Sequence, residues 1–357
     1  MSDWDFRENS LDLIRLVAAT QVMVLHSFEF TMNEVTGNLF FELLRLFPGV
    51  PIFFFISGYL ISRSYERSPT LLAYFKNRVL RIFPALLVCV FVNICLVAST
   101  GYFSENGVKL YEIGLLFLAK ASFLQFYNPD FMRMFGDGVL NGSLWTICVE
   151  LQFYFIVPIG YAILGLKKRL ATGSLVLVII FFIFVNQMYI GLMADYSQFL
   201  ALKFFRISFA PWIYMFLFGV LVQRKFDFFA SLVRKVPDYM SLPLYIIVAY
   251  VMSSLGVNFG NGISPFVFFI LALLVFRFSY SNVIISKSLL KGNDVSYGIY
   301  IWHMVYINQL TYLYPNPTIA QTTFCMLLAI VTAILSWFLL ERKFLALKSF
   351  SMLGSKE

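Results

Sequence analysis

Residues 11–31 read LDLIRLVAATQVMVLHSFEFT. Asp12 and Arg15 stand at the start of this run, His26 lies near its other end, and almost everything between is apolar. About twenty such residues cross the hydrocarbon core of a bilayer as one helix. Nine further apolar stretches follow, near 46–64, 80–100, 144–166, 172–192, 204–222, 239–256, 262–279, 294–314 and 318–341. The expectation is an all-α membrane protein, a bundle of about ten transmembrane helices. A shorter apolar piece, 112–127, falls in a long outer loop and reads as an interfacial or re-entrant segment.

Composition agrees. The chain has 357 residues, 60% hydrophobic and 13% charged, with a mean hydropathy of +0.80. Soluble domains are nearer half apolar and a quarter charged, so a soluble enzyme is excluded. The 42 Phe and 20 Tyr suit lipid-facing and interfacial positions. A net charge of +8 invites a nucleic-acid reading, but basic residues crowding the cytoplasmic loops of a membrane protein account for it, and no nucleic-acid partner is expected. With 112–127 not crossing, 21 of the 27 Lys and Arg residues fall on one side. They include Arg63, Arg67, Lys76, Arg78 and Arg81, the Lys167-Lys168-Arg169 run, Arg224, Lys225, Arg234 and Lys235, and the basic tail. The positive-inside rule makes that side, and both termini, cytoplasmic.

The opening residues, MSDWDFRENS, lack a basic n-region and a small-residue cleavage site, so the first span is expected to be retained. Cys89, Cys95, Cys148 and Cys325 lie in apolar stretches without metal spacing and read as buried structural thiols. No metal site is expected. No internal repeat is visible, and residues 1–357 read as a single integral membrane domain.

Both histidines of the chain sit in apolar stretches, and an ionisable group there marks a functional site by default. Arg15 and His26 are eleven residues apart, roughly 16 Å along a helix, so one helix carries an anion site and a proton-handling site at two depths. Arg78 and Arg81 share a helix face at the cytoplasmic edge, and guanidinium forks suit phosphate oxygens; a plain cytoplasmic anchor is the blander reading. Glu150 lies about two turns into the fourth span and by depth meets His26, either as the carboxylate that makes the imidazole a better base or as a structural ion-pair partner. Trp145 reads as an interfacial anchor or a stacking surface for a sugar. Pro51 is expected to kink the second span, and Ser57 and Gly58 to allow close helix approach. Ser296, Tyr297 and His303 form a polar stripe in the ninth span, with His303 read more readily as bonded to another helix than as catalytic. Asp12, Asn141 and Ser143 are candidate pocket or acceptor residues, with Asp130 and Asp137 of the outer loop.

The ordered set LDLIRLVAATQVMVLHS, GVPIFFFISGYLI, FKNRVLRIFPALL, GSLWTICVELQFYF and SYGIYIWHM resembles the acyltransferase-3 family of membrane acyltransferases, which includes bacterial O-antigen and exopolysaccharide O-acetyltransferases. The resemblance implies a ten-helix bundle that moves an acyl group from cytoplasmic acyl-CoA to an acceptor, often a sugar hydroxyl on the outer side. It implies that His26 is the essential histidine of the first helix and Arg15 its inner arginine. Arg78 and Arg81 match the family's R-x-x-R motif. Glu150 matches the glutamate of G-x-L-W-x-x-x-x-E, which here begins Gly-Ser-Leu-Trp at Gly142. An appended hydrolase domain, present in some members, is not expected.

On this reading acetyl-CoA is a co-substrate rather than a tightly bound cofactor. Arg15, Arg78 and Arg81 hold its phosphates, and the acceptor is a cell-surface glycan or its lipid-linked precursor. His26 acts as general base or carries the acetyl group itself, with Glu150 assisting, in a bacterial inner membrane. Oligomeric state is left open. A proton-coupled transporter or a flippase of a lipid-linked sugar is the alternative for buried His and Glu, but the arginine pair has no evident use in proton coupling. A non-catalytic scaffold leaves the placement of the polar residues unexplained.

Overall fold

The computed structural model describes residues 4, 8–32, 37–68, 70–163, 171–281 and 283–353. Arg7, the Lys167-Lys168-Arg169 run and Lys356 of the orientation argument lie outside the described residues. In chain order the helices are α1 (Leu11–Thr31), α2 (Leu39–Arg45), α3 (Gly49–Arg67), α4 (Leu71–Ser99), α5 (Tyr102–Glu105), α6 (Leu110–Lys120), α7 (Trp145–Ile163), α8 (Ala171–Tyr196) and α9 (Leu200–Arg206). Then come α10 (Ile213–Arg224), α11 (Phe226–Val233), α12 (Asp238–Ser254), α13 (Pro265–Ser281), α14 (Val283–Leu290), α15 (Ser296–Leu313), α16 (Ile319–Ser336) and α17 (Arg342–Leu353). A π-helical turn, Trp337–Glu341, joins the last two. Among the described residues there is no strand.

Every one of the ten apolar stretches carries helix, and among the described residues six to eight segments qualify as spans on length and composition alone, so the expected ten is approximate. Six helical segments are long and apolar enough: α1, α2 with α3, α4, Gly142–Ile163, α8, and Ile319–Leu347. Two bent pairs, α11 with α12 and α13 with α14, raise the number to eight. The stretch 204–222 is broken, and its longer piece α10 has 12 residues. Helix α15 has 18 residues, but its Ser, Tyr, His, Asn and Gln make it more polar than a lipid-facing span. It is buried along nearly its whole length, so it meets protein rather than lipid. Helix α6 has 11 residues, about half of what a crossing needs, in keeping with a segment that does not cross.

Lipid-facing surface is legible in what stays exposed. On α16, Phe324, Leu327, Val331 and Leu335 form an exposed apolar stripe at helical spacing. On α8, Leu177, Ile180, Phe181 and Phe184 are exposed as well. Water would penalise such faces; bilayer hydrocarbon does not. The protein is an integral membrane protein.

The chain forms two compact units. The first comprises Met1–Gln21, Leu39–Ser68 and Val149–Gly292. Its centre is the crossing of α3 and α10, where glycines permit backbone contact. A Cβ on Gly58 would lie 1.8 Å from the Phe216 carbonyl oxygen, and one on Gly219 would lie 2.2 Å from that of Phe55. Gly58 therefore does what the sequence suggested, whereas Ser57 has a different task, described below. Pro51 falls in the first turn of α3, which begins at Gly49. A proline there removes only an N–H that has no intrahelical acceptor, so it fits the helix start. Farther along α3, Ser62 bonds the Tyr161 hydroxyl at 2.6 Å and donates to Gln223 at 3.0 Å.

The second unit comprises Val22–Asn38, Pro69–Cys148 and Asn293–Glu357. Helix α15 is its core. The Tyr297 hydroxyl donates to the Ile82 carbonyl of α4 at 3.1 Å, and the Cys89 thiol donates to the Ile301 carbonyl at 3.4 Å. The start of α4 is capped by Thr70, which accepts from the Ala73 N–H, and that of α16 by a Thr318–Gln321 capping box. All four cysteines are free thiols; Cys89 and Cys148 are buried as expected, but Cys95 is exposed and Cys325 half-buried. On a bilayer-facing helix an apolar thiol carries no cost for exposure.

Candidate active site

The two histidines meet. His26 Nδ1 on α1 lies 3.0 Å from His303 Nε2 on α15, with ring centroids 5.3 Å apart and planes inclined at 38°. His303 is 1% exposed, and its Nδ1 lies 3.1 Å from the Ile299 carbonyl oxygen one turn back on its own helix. His26 is half-buried and packs edge-on against Phe30 at 5.8 Å. One ring is thus sealed in protein and the other is reachable. The sequence treated the two histidines separately, and the structure makes them a pair.

Arg81 and Arg78 lie one turn apart on α4. Arg81 is ion-paired to Asp294, which lies two residues before Ser296, the first residue of α15. The other Asp294 oxygen accepts from the Ser296 N–H at 3.1 Å and from its hydroxyl. Asp294 therefore starts α15 and tethers it to α4, a role that sequence reasoning missed. Its one visible signal is an acidic residue placed just before a helix. The polar stripe of α15 is occupied in full: Ser296 by Asp294, Tyr297 by Ile82, and His303 by His26.

Arg15 lies one turn from Asp12 on α1, with a separation of 3.8 Å between their charged groups. In the first unit, Glu150 Oε1 accepts from Ser57 at 2.8 Å and from the Tyr154 hydroxyl at 2.6 Å. Two hydroxyl donors hold this carboxylate in one orientation. Neither was anticipated, because Ser57 read as a packing residue.

Asn141 and Ser143 build the start of α7. The Asn141 side-chain oxygen accepts from the Ser143 N–H at 3.1 Å and hydroxyl at 2.7 Å, while its side-chain amide donates to the Ile301 carbonyl at 2.9 Å. Trp145 follows as the first residue of α7 and is half-buried. Asp130 bonds Arg133 at 2.7 Å on the surface.

The segment between α6 and α7, with α15, contains a buried polar cluster that the sequence did not reveal. Lys120 is 2% exposed and donates to the Gln125 carbonyl at 2.7 Å. The Asp137 N–H donates to the Asn308 side-chain oxygen at 2.9 Å, and the Asn308 amide donates to the Leu140 carbonyl at 3.0 Å. Burial pushes the Asp137 carboxyl up to about 6, against hydrogen bonds and the nearby Lys120 charge, which pull it down. Burial lowers the Lys120 ammonium to about 8, against the attraction of Asp137.

The model of a family described as "Acyltransferase domain", the acyltransferase-3 family, matches residues 8–340. Nodulation protein 10 of Rhizobium leguminosarum bv. viciae is 31% identical over 85% of this chain and 83% of its own length. An O-acetyl transferase of Shigella phage Sf6 is 30% identical over 96% of this chain and 98% of its own length. A putative peptidoglycan O-acetyltransferase of Bacillus subtilis is 26% identical over half of this chain and 28% of its own length. No solved structure matches. The chain belongs to the acyltransferase-3 family and is a membrane acyltransferase.

Proposed function

We propose that this acyltransferase moves an acetyl group from cytoplasmic acetyl-CoA to a sugar hydroxyl of a cell-surface glycan or its lipid-linked precursor, in a bacterial inner membrane with both termini cytoplasmic. The observation that carries the reading is the half-buried His26 ring, held by His303 in a chain of this family. A reachable imidazole is suited to taking a proton from an alcohol.

In the direct route, His26 takes the acceptor hydroxyl proton as the oxygen attacks the thioester carbonyl carbon. The C–S bond breaks, and the departing thiolate receives the proton back from the imidazolium. In the covalent route, His26 attacks the thioester carbon and expels the CoA thiolate; the acceptor oxygen then displaces the imidazole from the acetyl carbon, and its hydroxyl proton passes to that thiolate. Trapping an acetyl-histidine in acceptor-free protein favours the second route; a ternary-complex rate law with no trapped species favours the first.

Arg15, Arg78 and Arg81 are assigned to the donor phosphates. Support comes from the eleven-residue spacing of Arg15 and His26, roughly 16 Å of helix, which is of the same order as a pantetheine arm. The assignment of Glu150 as the carboxylate that compensates His26 rests on its sequence motif. Mass spectrometry of surface glycans from cells with and without the protein tests the reading: acetyl increments disappear with the protein if it holds, and an unchanged acetylation pattern contradicts it.

A further inference from the structure

The His26–His303 contact has a direction. A carbonyl oxygen only accepts, so the 3.1 Å approach of His303 Nδ1 to the Ile299 oxygen requires the proton on Nδ1. A neutral ring protonated there carries a lone pair on Nε2. That lone pair faces His26 Nδ1 at 3.0 Å, so His26 donates from Nδ1 and its own Nε2 is left unprotonated. The reverse arrangement would aim the His303 Nδ1 lone pair at the Ile299 oxygen in a ring that is 1% exposed, where water cannot relieve the mismatch.

We propose that His303 is a positioning residue: relayed from the Ile299 carbonyl, it locks His26 in the Nδ1–H tautomer and makes Nε2 the single basic atom of the pair. This rests on the reading of His26 as the reacting group and deepens it. When Nε2 takes the acceptor proton, the positive ring keeps its Nδ1–H bond to His303, which holds the ring in place until the thiolate recovers the proton. His303 itself gains and loses nothing. In the covalent route the same lock presents Nε2 to the thioester carbon.

The chain has two histidines, so selective labelling isolates this pair. Protein carrying ¹⁵N,¹³C-histidine in lipid bilayers, observed by solid-state NMR, should give two imidazoles, each protonated on Nδ1 and bare on Nε2. The His303→Gln variant assigns the spectrum by removing one ring. A wild-type His26 ring protonated on Nε2 overturns the proposal. His303→Leu should scramble the His26 tautomer and lower kcat on the order of 10²-fold, leaving KM for acetyl-CoA unchanged. His303→Gln, whose amide oxygen can occupy the place of Nε2, should recover the tautomer and much of the rate. If His303→Leu keeps both the tautomer and kcat, His303 is a packing residue. The spectrum does not depend on turnover, so an active His26→Ala protein would remove the catalytic reading of His26 without deciding the tautomer.

Discussion

The Arg81 guanidinium on α4 is ion-paired to the Asp294 carboxylate, and Asp294 also accepts from the Ser296 N–H at the start of α15. Both side chains are largely buried, at 15% and 8% exposure. Removing one partner leaves a buried charge uncompensated, which costs about 3 kcal/mol. Arg81→Ala should therefore lower the thermal midpoint of the detergent-solubilised protein, and adding Asp294→Asn should restore part of the loss. An Arg81→Ala protein as stable as wild type would mean that the pair does not anchor α15.

Arg78 has a separable task in the proposal. Arg78→Ala should raise KM for acetyl-CoA on the order of 10-fold, the scale of one charge-assisted hydrogen bond, with kcat little changed. Lysine at this position should recover the effect only in part, because it lacks the planar fork. Steady-state kinetics at varied donor concentration decide the point; a fall in kcat with constant KM would place Arg78 elsewhere in the mechanism.

At the α3–α10 crossing there is no room for a methyl group. Gly58→Ala puts a carbon 1.8 Å from the Phe216 carbonyl oxygen and forces two backbones apart, with a cost of about 1–3 kcal/mol. A clear drop in thermal midpoint is expected. An unchanged midpoint would mean that the crossing is looser than the structure has it.

The Lys120–Asp137 cluster gives stability a pH dependence. The Asp137 carboxyl is raised to about 6, so between the ordinary carboxylate range and pH 6 the folded state holds more protons than the unfolded one. Its contribution is present at low pH and is lost as pH rises through 6. The Lys120 ammonium is lowered to about 8, so the unfolded state binds more protons above pH 8 and stability recovers on the alkaline side. Thermal midpoints measured across pH should show a shallow minimum between 6 and 8. Asp137→Asn should flatten its acid side; parallel profiles for wild type and variant would contradict the assignment.

Hydropathy revealed the elements that touch lipid. Helices α1, α4 and α8, and α16 with its continuation to Leu347, stand out because the bilayer selects apolar side chains over twenty or more residues. Helix α15 shows the limit of that signal: it packs against protein, so it carries polar groups and is more polar than a lipid-facing span. A candidate site residue stands out in the sequence where chemistry and position coincide, as at His26. Contacts between residues far apart in the chain do not. His303 is 277 residues from His26 and Asp294 is 213 from Arg81, and no local pattern encodes such distances. The Lys120–Asp137 cluster was missed for a related reason, since a lysine closing a short apolar helix reads as solvent-facing until its loop folds over it.

The central claim is that His26 is the reacting group, and one comparison tests it most directly. Purified wild-type and His26→Ala proteins are given acetyl-CoA and a sugar acceptor, with acetyl transfer and donor-dependent thermal stabilisation measured side by side. The expected result is a fall in transfer of about 10²–10⁴-fold while stabilisation by acetyl-CoA is retained. A His26→Ala protein that transfers acetyl at the wild-type rate would contradict the account.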